Sequence, residues 1–168
     1  MMLRIAGTAN DSIVDGPGIR YTIFVQGCPH HCEGCHNPNT HSFSGGELTD
    51  SMELLEKIKN NPILDGVTFS GGEPFCQAEA LAELGRKIKK LGLNIITYTG
   101  YEFEYLYENR EKNGWGKLLE VTDYLIDGKF ISAEKSLEVR FRGSKNQRYL
   151  NCRESLSAGK AVETEPED

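Results

Sequence analysis

The sequence lacks a long apolar run and lacks an excess of positive charge. No stretch approaches the roughly 18 apolar residues of a membrane span, and the opening MMLRIAGTAND has no apolar core of a secretory signal. The 168 residues carry a net charge of −6, which argues against binding nucleic acid by broad neutralisation of phosphates. We therefore expect a globular, cytoplasmic protein that neither spans a membrane nor binds nucleic acid.

Cysteine is also scarce, and its number is odd. The chain has five cysteines, and without an export signal an odd number favours metal binding or free thiols over disulfides. Three of them, Cys28, Cys32 and Cys35, fall within the stretch GCPHHCEGCHN. Cys76 and Cys152 lie far along the chain, and we expect both to be small buried apolar residues rather than metal ligands.

Strand and helix patterns alternate along the chain. The runs IRYTIFVQ, GVTFS, LNIIT and DYLI are rich in β-branched and aromatic residues, and residues 48–62 and 77–91 have the apolar spacing of amphipathic helices. Weaker helical patterns cover 101–111 and 117–122, and LEVRF at 137–141 is a candidate last strand. This alternation predicts an α/β fold with a parallel sheet built of βαβ units.

The length of the chain limits how far such a sheet can close. A complete eight-stranded βα barrel needs about 250 residues, so we expect an open, partial parallel βα barrel of about five to six strands. Residues 1–152 are predicted to form one domain. The remaining residues, 153–168, are polar and end in ETEPED, which predicts a flexible tail.

Four polar, glycine-containing loops follow four of the predicted strands: the cysteine loop, SGGEP, TYTGY and IDGK. In parallel βα folds, the loops at the carboxyl ends of the strands meet at one edge of the sheet, where active sites are built. The four loops together therefore predict one shared site.

The three clustered cysteines suit a metal centre with an open coordination position. Cubane iron–sulfur clusters usually take four thiolates, and here one loop supplies three. A cluster held by three thiolates leaves one iron free for a ligand. The alternative from the loop alone is a structural zinc site of three cysteines and one histidine, with the candidate histidines His30, His31, His36 and His41.

The SGGEP loop adds groups that suit a bound ammonium. Gly71 and Gly72 allow the backbone to come close to a ligand, and Glu73 supplies a carboxylate. An ordinary turn between a strand and a helix is the alternative for this loop taken by itself.

The two motifs together resemble those of the radical S-adenosylmethionine (SAM) enzymes. DGPGIR at 15–20 and HNP after Cys35 are similar to stretches of the glycyl-radical-enzyme activating proteins. The short chain, DGKF at 127–130 and RGSKNQR at 142–148 resemble the activators of anaerobic ribonucleoside-triphosphate reductase. The resemblance covers roughly residues 10–150 and implies a partial barrel of the radical SAM type.

The resemblance implies a [4Fe–4S] cluster held by Cys28, Cys32 and Cys35, with SAM chelating the open iron. A reduced cluster would split SAM into methionine and a 5′-deoxyadenosyl radical, which would take a hydrogen atom from a glycine of the reductase. A low-potential electron donor such as flavodoxin or ferredoxin would supply the electron. Many related loops have an aromatic residue where this chain has Gly34, so shielding of the cluster is expected from elsewhere, with His36 a candidate.

The SAM-binding residues that the resemblance implies follow three strands: Ser70, Gly71, Gly72, Glu73, Thr97, Thr99, Asp127 and Lys129. For the threonines the alternative is capping of a strand end, and for the Asp-x-Lys pair it is a solvated turn. Two further hypotheses concern charged side chains. Asp15 and Arg20 are candidates for ordering the cysteine loop, with an exposed arginine as the alternative. The basic residues of 142–148 are candidates for docking the reductase or the SAM carboxylate, or form a solvated loop.

Two other functions remain open on the sequence. One is a small radical SAM enzyme with a small-molecule substrate, similar to 7-carboxy-7-deazaguanine synthase, which would need no protein partner. The other is a non-catalytic zinc-binding module, which would need no GGE at the end of a strand.

Overall fold

A seven-stranded sheet is the framework of the part of the chain that the computed structural model describes, residues 1–35 and 38–166. The strands are β1 Met2–Ser12, β2 Arg20–Val25, β3 Glu47–Asp50, β4 Gly66–Gly71, β5 Asn94–Tyr98, β6 Tyr124–Asp127 and β7 Arg148–Asn151. The helices are α1 Ser51–Lys59, α2 Ala78–Lys90, α3 Phe103–Glu108, α4 Trp115–Val121 and α5 Cys152–Ala158. Short 3-10 turns lie at Pro38–Thr40, Pro74–Gln77 and Ser132–Glu134.

The sheet is parallel at its centre and antiparallel at its edges. Its order is β3-β1-β2-β4-β5-β6-β7. The pairs β2–β4, β4–β5 and β5–β6 are parallel, whereas β1 pairs antiparallel with both β2 and β3, and β7 pairs antiparallel with β6. Within the described residues β3 and β7 are the edge strands, so the sheet stays open. The predicted α/β class and the open parallel core are confirmed.

The helices begin and end where local side chains specify. Asp50 caps α1, since its carboxylate accepts a hydrogen bond from the Met52 backbone N–H at 3.0 Å. The apolar stripe of α2, Leu81, Leu84 and Ile88, is fully buried. Gly92 has a φ of +83° just after this helix, a conformation that favours glycine at a helix end. Both strong helix predictions are confirmed.

The two faces of the sheet have different surroundings. On one, which we call the helical face, the strands and all five helices share one apolar core that includes Ile23, Phe69 and Ile95. On the other, the cavity face, a small second cluster holds Ile96, Ile126 and Tyr149. The alternation of side chains along each strand produces this division.

The sequence prediction was wrong in three places. The stretch LEVRF at 137–141 contains no strand, and the last strand is β7. The strands β1 and β3 were not predicted. The polar segment after Cys152 is not a free tail, because it forms α5 and then returns to the sheet, where the Thr164 N–H donates to the Tyr149 carbonyl at 3.0 Å.

No helix of the described ranges is long and apolar enough to cross a membrane.

Candidate active site

A cavity of about 650 Å³ lies at the carboxyl ends of the parallel strands. Its wall contains all three clustered cysteines, Cys28, Cys32 and Cys35. The loop after β4 contributes Ser70, Gly71 and Gly72, and the end of β5 contributes Thr99. The loops that follow three separate strands therefore meet at one site, as their positions in the sequence predicted.

Backbone hydrogen bonds fix the cysteine loop against the sheet. The Gly27 N–H donates to the Thr40 carbonyl at 2.6 Å, and the Cys28 N–H donates to the His41 carbonyl at 3.1 Å. The Glu73 N–H donates to the Gly27 carbonyl at 2.8 Å. These bonds place the first cysteine directly beside the loop after β4.

The two glycines after β4 are required by backbone packing. A Cβ on Gly71, whose φ is +93°, would lie 2.5 Å from the Val25 nitrogen. A Cβ on Gly72 would lie 2.3 Å from the Gly27 carbonyl oxygen. Both distances are too short for any side chain, so the close approach that these glycines allow is to the chain's own β2 and cysteine loop.

Two of the thiols, Cys28 and Cys32, have a raised pKa. Burial raises the pKa of Cys28, an effect that a backbone hydrogen bond from His30 partly opposes. Burial likewise raises the pKa of Cys32. Thiolates bind metal, so loading an iron–sulfur cluster here releases protons. Within the described residues no three Cys, His, Asp or Glu side chains converge on one point tightly enough to hold a metal ion; the thiols share a cavity wall.

The donor chemistry of this cavity fits an iron–sulfur cluster. Three thiols line one space, and such clusters are held by cysteine thiolates. In the described part of the chain the buried Nε2 atom of His41, in the same wall, has no hydrogen-bond partner. An unpaired buried polar atom is costly, and a bound group rich in sulfur would give it a partner.

Glu73 is the most heavily bonded side chain of the site. Its carboxylate is fully buried and accepts from the N–H groups of Phe75 at 3.1 Å and Gly100 at 2.8 Å. The Thr99 hydroxyl lies 3.0 and 2.9 Å from its two oxygens. The Nε2 atom of His30 lies 2.5 Å from Oε1. Sequence reasoning did not single out His30 for this role, because nothing in a linear pattern indicates that it contacts Glu73.

The structure separates the two predicted threonines, Thr97 in β5 and Thr99 just after it. Thr99 belongs to the cavity wall and to the Glu73 network. Thr97 is buried on the helical face, where its hydroxyl pairs with the Thr122 hydroxyl at 2.9 Å. The structure therefore does not bring Thr97 to the cavity.

Asp127 and Lys129 lie beside a neighbouring cavity of about 710 Å³, which shares His30, Gly100 and Gly128 with the first. Asp127 is buried and accepts from Arg148, with Nη2 to Oδ2 at 2.5 Å, and from the Phe103 N–H at 2.7 Å. Lys129 is exposed. Gly128 and Phe130, on either side of Lys129, line the cysteine cavity.

The predicted basic cluster is divided between two environments. Arg148 bonds to Asp127 and to Glu104, and these hydrogen bonds raise the pKa of its guanidinium. Arg142 lines the cysteine cavity, and Lys145 is exposed. Arg142 and Arg148 therefore line different cavities.

Arg20 is neither exposed nor near the cysteine loop. It begins β2, at the end of the strand opposite to the cavity, and is fully buried on the cavity face. Its guanidinium donates to the Thr68 hydroxyl at 2.7 Å and to the carbonyls of Pro17 and Val67 at 3.0 and 2.8 Å. Burial lowers its pKa to about 10, so it remains charged at neutral pH.

Asp15, predicted with Arg20, does line the cavity, and its carboxylate accepts from the Thr22 hydroxyl at 3.0 Å. Cys152 is buried in the core as predicted. Cys76 is exposed, so the prediction for it was wrong. The proposed shielding residue His36 lies outside the described residues.

Residues 14–150 match a protein family described as a 4Fe–4S single cluster domain. The anaerobic ribonucleoside-triphosphate reductase-activating protein of Haemophilus influenzae is 34% identical over 143 residues, which cover 80% of this chain and 89% of that protein. The protein of the same name from Vibrio cholerae is 36% identical over the same shares. The pyruvate formate-lyase-activating enzyme of Clostridium pasteurianum is 40% identical over 131 residues, 75% of this chain and 52% of that enzyme.

The fold also has a solved counterpart. The crystal structure of QueE from Escherichia coli matches 60% of this chain and 53% of its own, with a TM-score of 0.50 and 20% identity. At that identity the match concerns the fold alone.

These matches define the class of protein first: a domain that holds a single 4Fe–4S cluster. More particularly, the chain belongs to the family of radical SAM activating enzymes that contains the anaerobic ribonucleoside-triphosphate reductase-activating proteins and the pyruvate formate-lyase-activating enzymes. The resemblance drawn from the cysteine loop and GGE is thereby confirmed, and a zinc-binding module is disfavoured.

Proposed function

We propose that this protein is the activase of an anaerobic ribonucleoside-triphosphate reductase. We also propose that the sheet and helices that carry its site form a partial barrel of the radical SAM type. One observation carries the proposal. The three cysteines, Gly71, Gly72 and Thr99 line one cavity in a chain that is similar to reductase-activating proteins over 89% of the length of one of them.

In this proposal Cys28, Cys32 and Cys35 would hold a [4Fe–4S] cluster, and SAM would bind beside it in the same cavity. Once bound, the cluster and SAM would supply the radical chemistry that takes a hydrogen atom from one glycine of the reductase. A low-potential donor such as flavodoxin or ferredoxin supplies the electron. The protein's own part is to position these groups and to exclude water and side reactions.

The loop after β4 is proposed to hold the methionine end of SAM. Ser70, Gly71 and Gly72 present backbone along the cavity wall, and the Glu73 carboxylate is the acceptor for the ammonium group. Thr99 fixes that carboxylate through its hydroxyl. A charge-assisted hydrogen bond of this kind is roughly twice as strong as a neutral one.

The β6 end is proposed to contact the remainder of SAM through Lys129, beside the cavity wall. Asp127 would hold this segment in place rather than contact SAM itself. Its carboxylate already accepts hydrogen bonds from Arg148 and from the Phe103 N–H. Arg142 in the cavity wall is a second candidate for a SAM carboxylate or an acidic group of the partner.

Electron paramagnetic resonance under anaerobic conditions tests this function. The cluster-loaded, reduced protein is mixed with SAM and the anaerobic reductase from the same cell. The proposal predicts a glycyl-radical doublet that requires both SAM and the reductase. A cluster signal that SAM alters, without a glycyl radical and with turnover of a small metabolite, would favour the small-molecule enzyme instead.

A further inference from the structure

The carboxylate of Glu73 has no free acceptor position in this structure. A carboxylate offers about four lone-pair sites. Here they receive the N–H groups of Phe75 and Gly100, the Thr99 hydroxyl and the His30 imidazole. The side chain is also fully buried. An ammonium group can therefore reach this carboxylate only if one of the four donors leaves.

Three of the donors are fixed by the fold. The Phe75 N–H belongs to the turn Pro74–Gln77, whose first turn Glu73 itself caps. The Thr99 backbone N–H donates to the Ile126 carbonyl at 2.9 Å, which holds Thr99 and the adjoining Gly100 at the end of β5. Displacing any of these three donors would disturb the carboxyl end of β5 or the turn Pro74–Gln77.

His30 differs because it belongs to the cysteine loop. It lies between Cys28 and Cys32, and the next residue, His31, has a φ of +51°, a conformation that non-glycine residues rarely adopt. Its loop carries the three cysteines that line the cavity. Unlike the other three donors, His30 belongs neither to the end of β5 nor to the turn after β4, so His30 is the donor that a ligand can displace without disturbing the sheet.

The position of the His30 ring gives this contact a second consequence. The side chain lines both cavities, together with Gly100 and Gly128. Its ring packs edge-to-face on Tyr101 at a centroid distance of 4.6 Å. The imidazole therefore lies where the space beside the cysteines and the space beside Lys129 adjoin.

We propose that, in the ligand-free protein, His30 occupies the place at Glu73 that the ammonium group of SAM takes when SAM binds. The inference rests on the proposed function and deepens it. His30 is a positioning residue that keeps the buried carboxylate satisfied until the ligand arrives. A carboxylate can only accept hydrogen bonds. In the ligand-free protein the Nε2–H of His30 donates the hydrogen bond to Glu73 that an ammonium N–H of SAM donates after binding.

A binding measurement tests the proposal without relying on turnover. We would measure SAM affinity by anaerobic equilibrium dialysis for the cluster-loaded wild type, His30→Phe and His31→Asn. Phenylalanine keeps a ring against Tyr101 and removes the donor. The matched control His31→Asn changes an exposed neighbour in the same loop, and asparagine tolerates a positive φ.

His30→Phe should bind SAM about tenfold more tightly, because the ligand no longer displaces a charge-assisted hydrogen bond. The control should bind like the wild type. A role limited to holding the site together predicts the opposite sign, so unchanged or weaker binding by His30→Phe overturns the inference and leaves the proposed function intact. A cluster-loaded wild type that does not bind SAM overturns both.

A second measurement applies if His30→Phe fails to fold or to load its cluster. Hydrogen–deuterium exchange at the imidazole C2 position, measured by mass spectrometry on the wild type, reports on the surroundings of His30 itself. Exchange at His30 should become faster when SAM is added to the cluster-loaded protein, while exchange at His31 stays constant. Equal exchange at His30 with and without SAM overturns the proposal.

Discussion

The helical face and the cavity face of the sheet are formed by the same strands but bury different kinds of side chain. On the helical face, side chains such as Phe69, Leu81 and Leu125 are fully buried in one continuous apolar core. On the cavity face, the buried side chains include Arg20, Thr22 and Thr68, which are joined by hydrogen bonds to the segment that contains Asp15. Apolar packing is concentrated on one face and buried polar groups on the other.

The difference predicts that the fold does not depend on a bound cofactor. The apolar core of the helical face consists of the chain's own side chains. The cavity face holds Cys28 and Cys32, whose pKa values are raised by burial, and the buried Nε2 atom of His41, which has no hydrogen-bond partner among the described residues. A bound cluster would take up the thiols as thiolates and give the nitrogen a partner. Changes on the two faces should therefore have separable effects.

The largest effect should come from the simultaneous change of Cys28, Cys32 and Cys35 to alanine. We expect complete loss of bound iron and of SAM cleavage, because no other described cysteine lines the cavity. The midpoint of thermal unfolding of the cluster-free protein should shift little, since the apolar core is untouched. Iron analysis and circular dichroism measure both outcomes.

The control for this change is the exposed Cys76→Ala, which should retain its iron. Retention of a full cluster by the triple variant would contradict the assignment of the ligands. Unfolding of the triple variant would contradict the separation of the two faces.

A single truncation on the helical face should lower the stability of the fold and leave iron binding intact. Phe69→Ala removes a fully buried ring from β4, and such a change typically lowers the free energy of unfolding by about 3–5 kcal/mol. Urea denaturation of the cluster-free protein gives the value. Molecules that remain folded should still bind iron. A loss below about 1 kcal/mol, smaller than any core truncation of this size, would argue against the packing described for this face.

Arg20 makes the cavity face contribute to stability in a different way. Arg20→Met removes the donor to the Thr68 hydroxyl and to three carbonyls, leaving buried acceptors unpaired. We expect a loss of about 3 kcal/mol, since hydrogen bonds to a charged group are worth about 1.5–3 kcal/mol each and relaxation recovers part. Arg20→Lys should recover little, because one ammonium cannot reproduce the planar set of donors.

Chemical denaturation of both variants at neutral pH measures this effect. Equal stability of Arg20→Met and the wild type would show that the hydrogen bonds of Arg20 are not needed. Iron content should stay unchanged in both variants, because Arg20 lies at the end of β2 away from the cysteines.

The smallest effect, and the sharpest comparison, concerns two threonines two residues apart. Thr97→Val should lower the free energy of unfolding by about 1 kcal/mol through loss of the bond to Thr122. It should leave SAM affinity unchanged. Thr99→Val removes a hydroxyl from the Glu73 carboxylate and should weaken SAM binding about tenfold. Equal effects of the two variants on SAM affinity would contradict the placement of Thr97 on the helical face.

The central elements and the site loops could be predicted because short sequence patterns specify them. The apolar spacing of α2 and the capping residue Asp50 act locally, and the cysteine spacing requires no knowledge of distant contacts. The parallel orientation of β2, β4, β5 and β6 followed from the alternation of strands and helices. General topology rules then brought the loops to one edge of the sheet.

The remainder depends on contacts between distant parts of the chain. The edge strand β7 was missed because LEVRF at 137–141 alternates apolar and charged residues and so resembles a strand more than RYLN does, and only pairing with β6 decides between them. From the sequence alone Arg20 could be an exposed residue, because its acceptors on Thr68 and Val67 lie far away along the chain. The link between His30 and Glu73, 43 positions apart, has no signal in either local pattern.

The central claim is that the cavity face holds a three-cysteine cluster whose open iron binds SAM beside Glu73. Electron–nuclear double resonance of the reduced, cluster-loaded protein, mixed with SAM labelled with ¹⁵N at its amino group, tests this claim most directly. We predict a ¹⁵N hyperfine coupling that unlabelled SAM does not give and that is lost in Glu73→Ala with its cluster retained. A full cluster without any ¹⁵N coupling in the wild type would contradict the account.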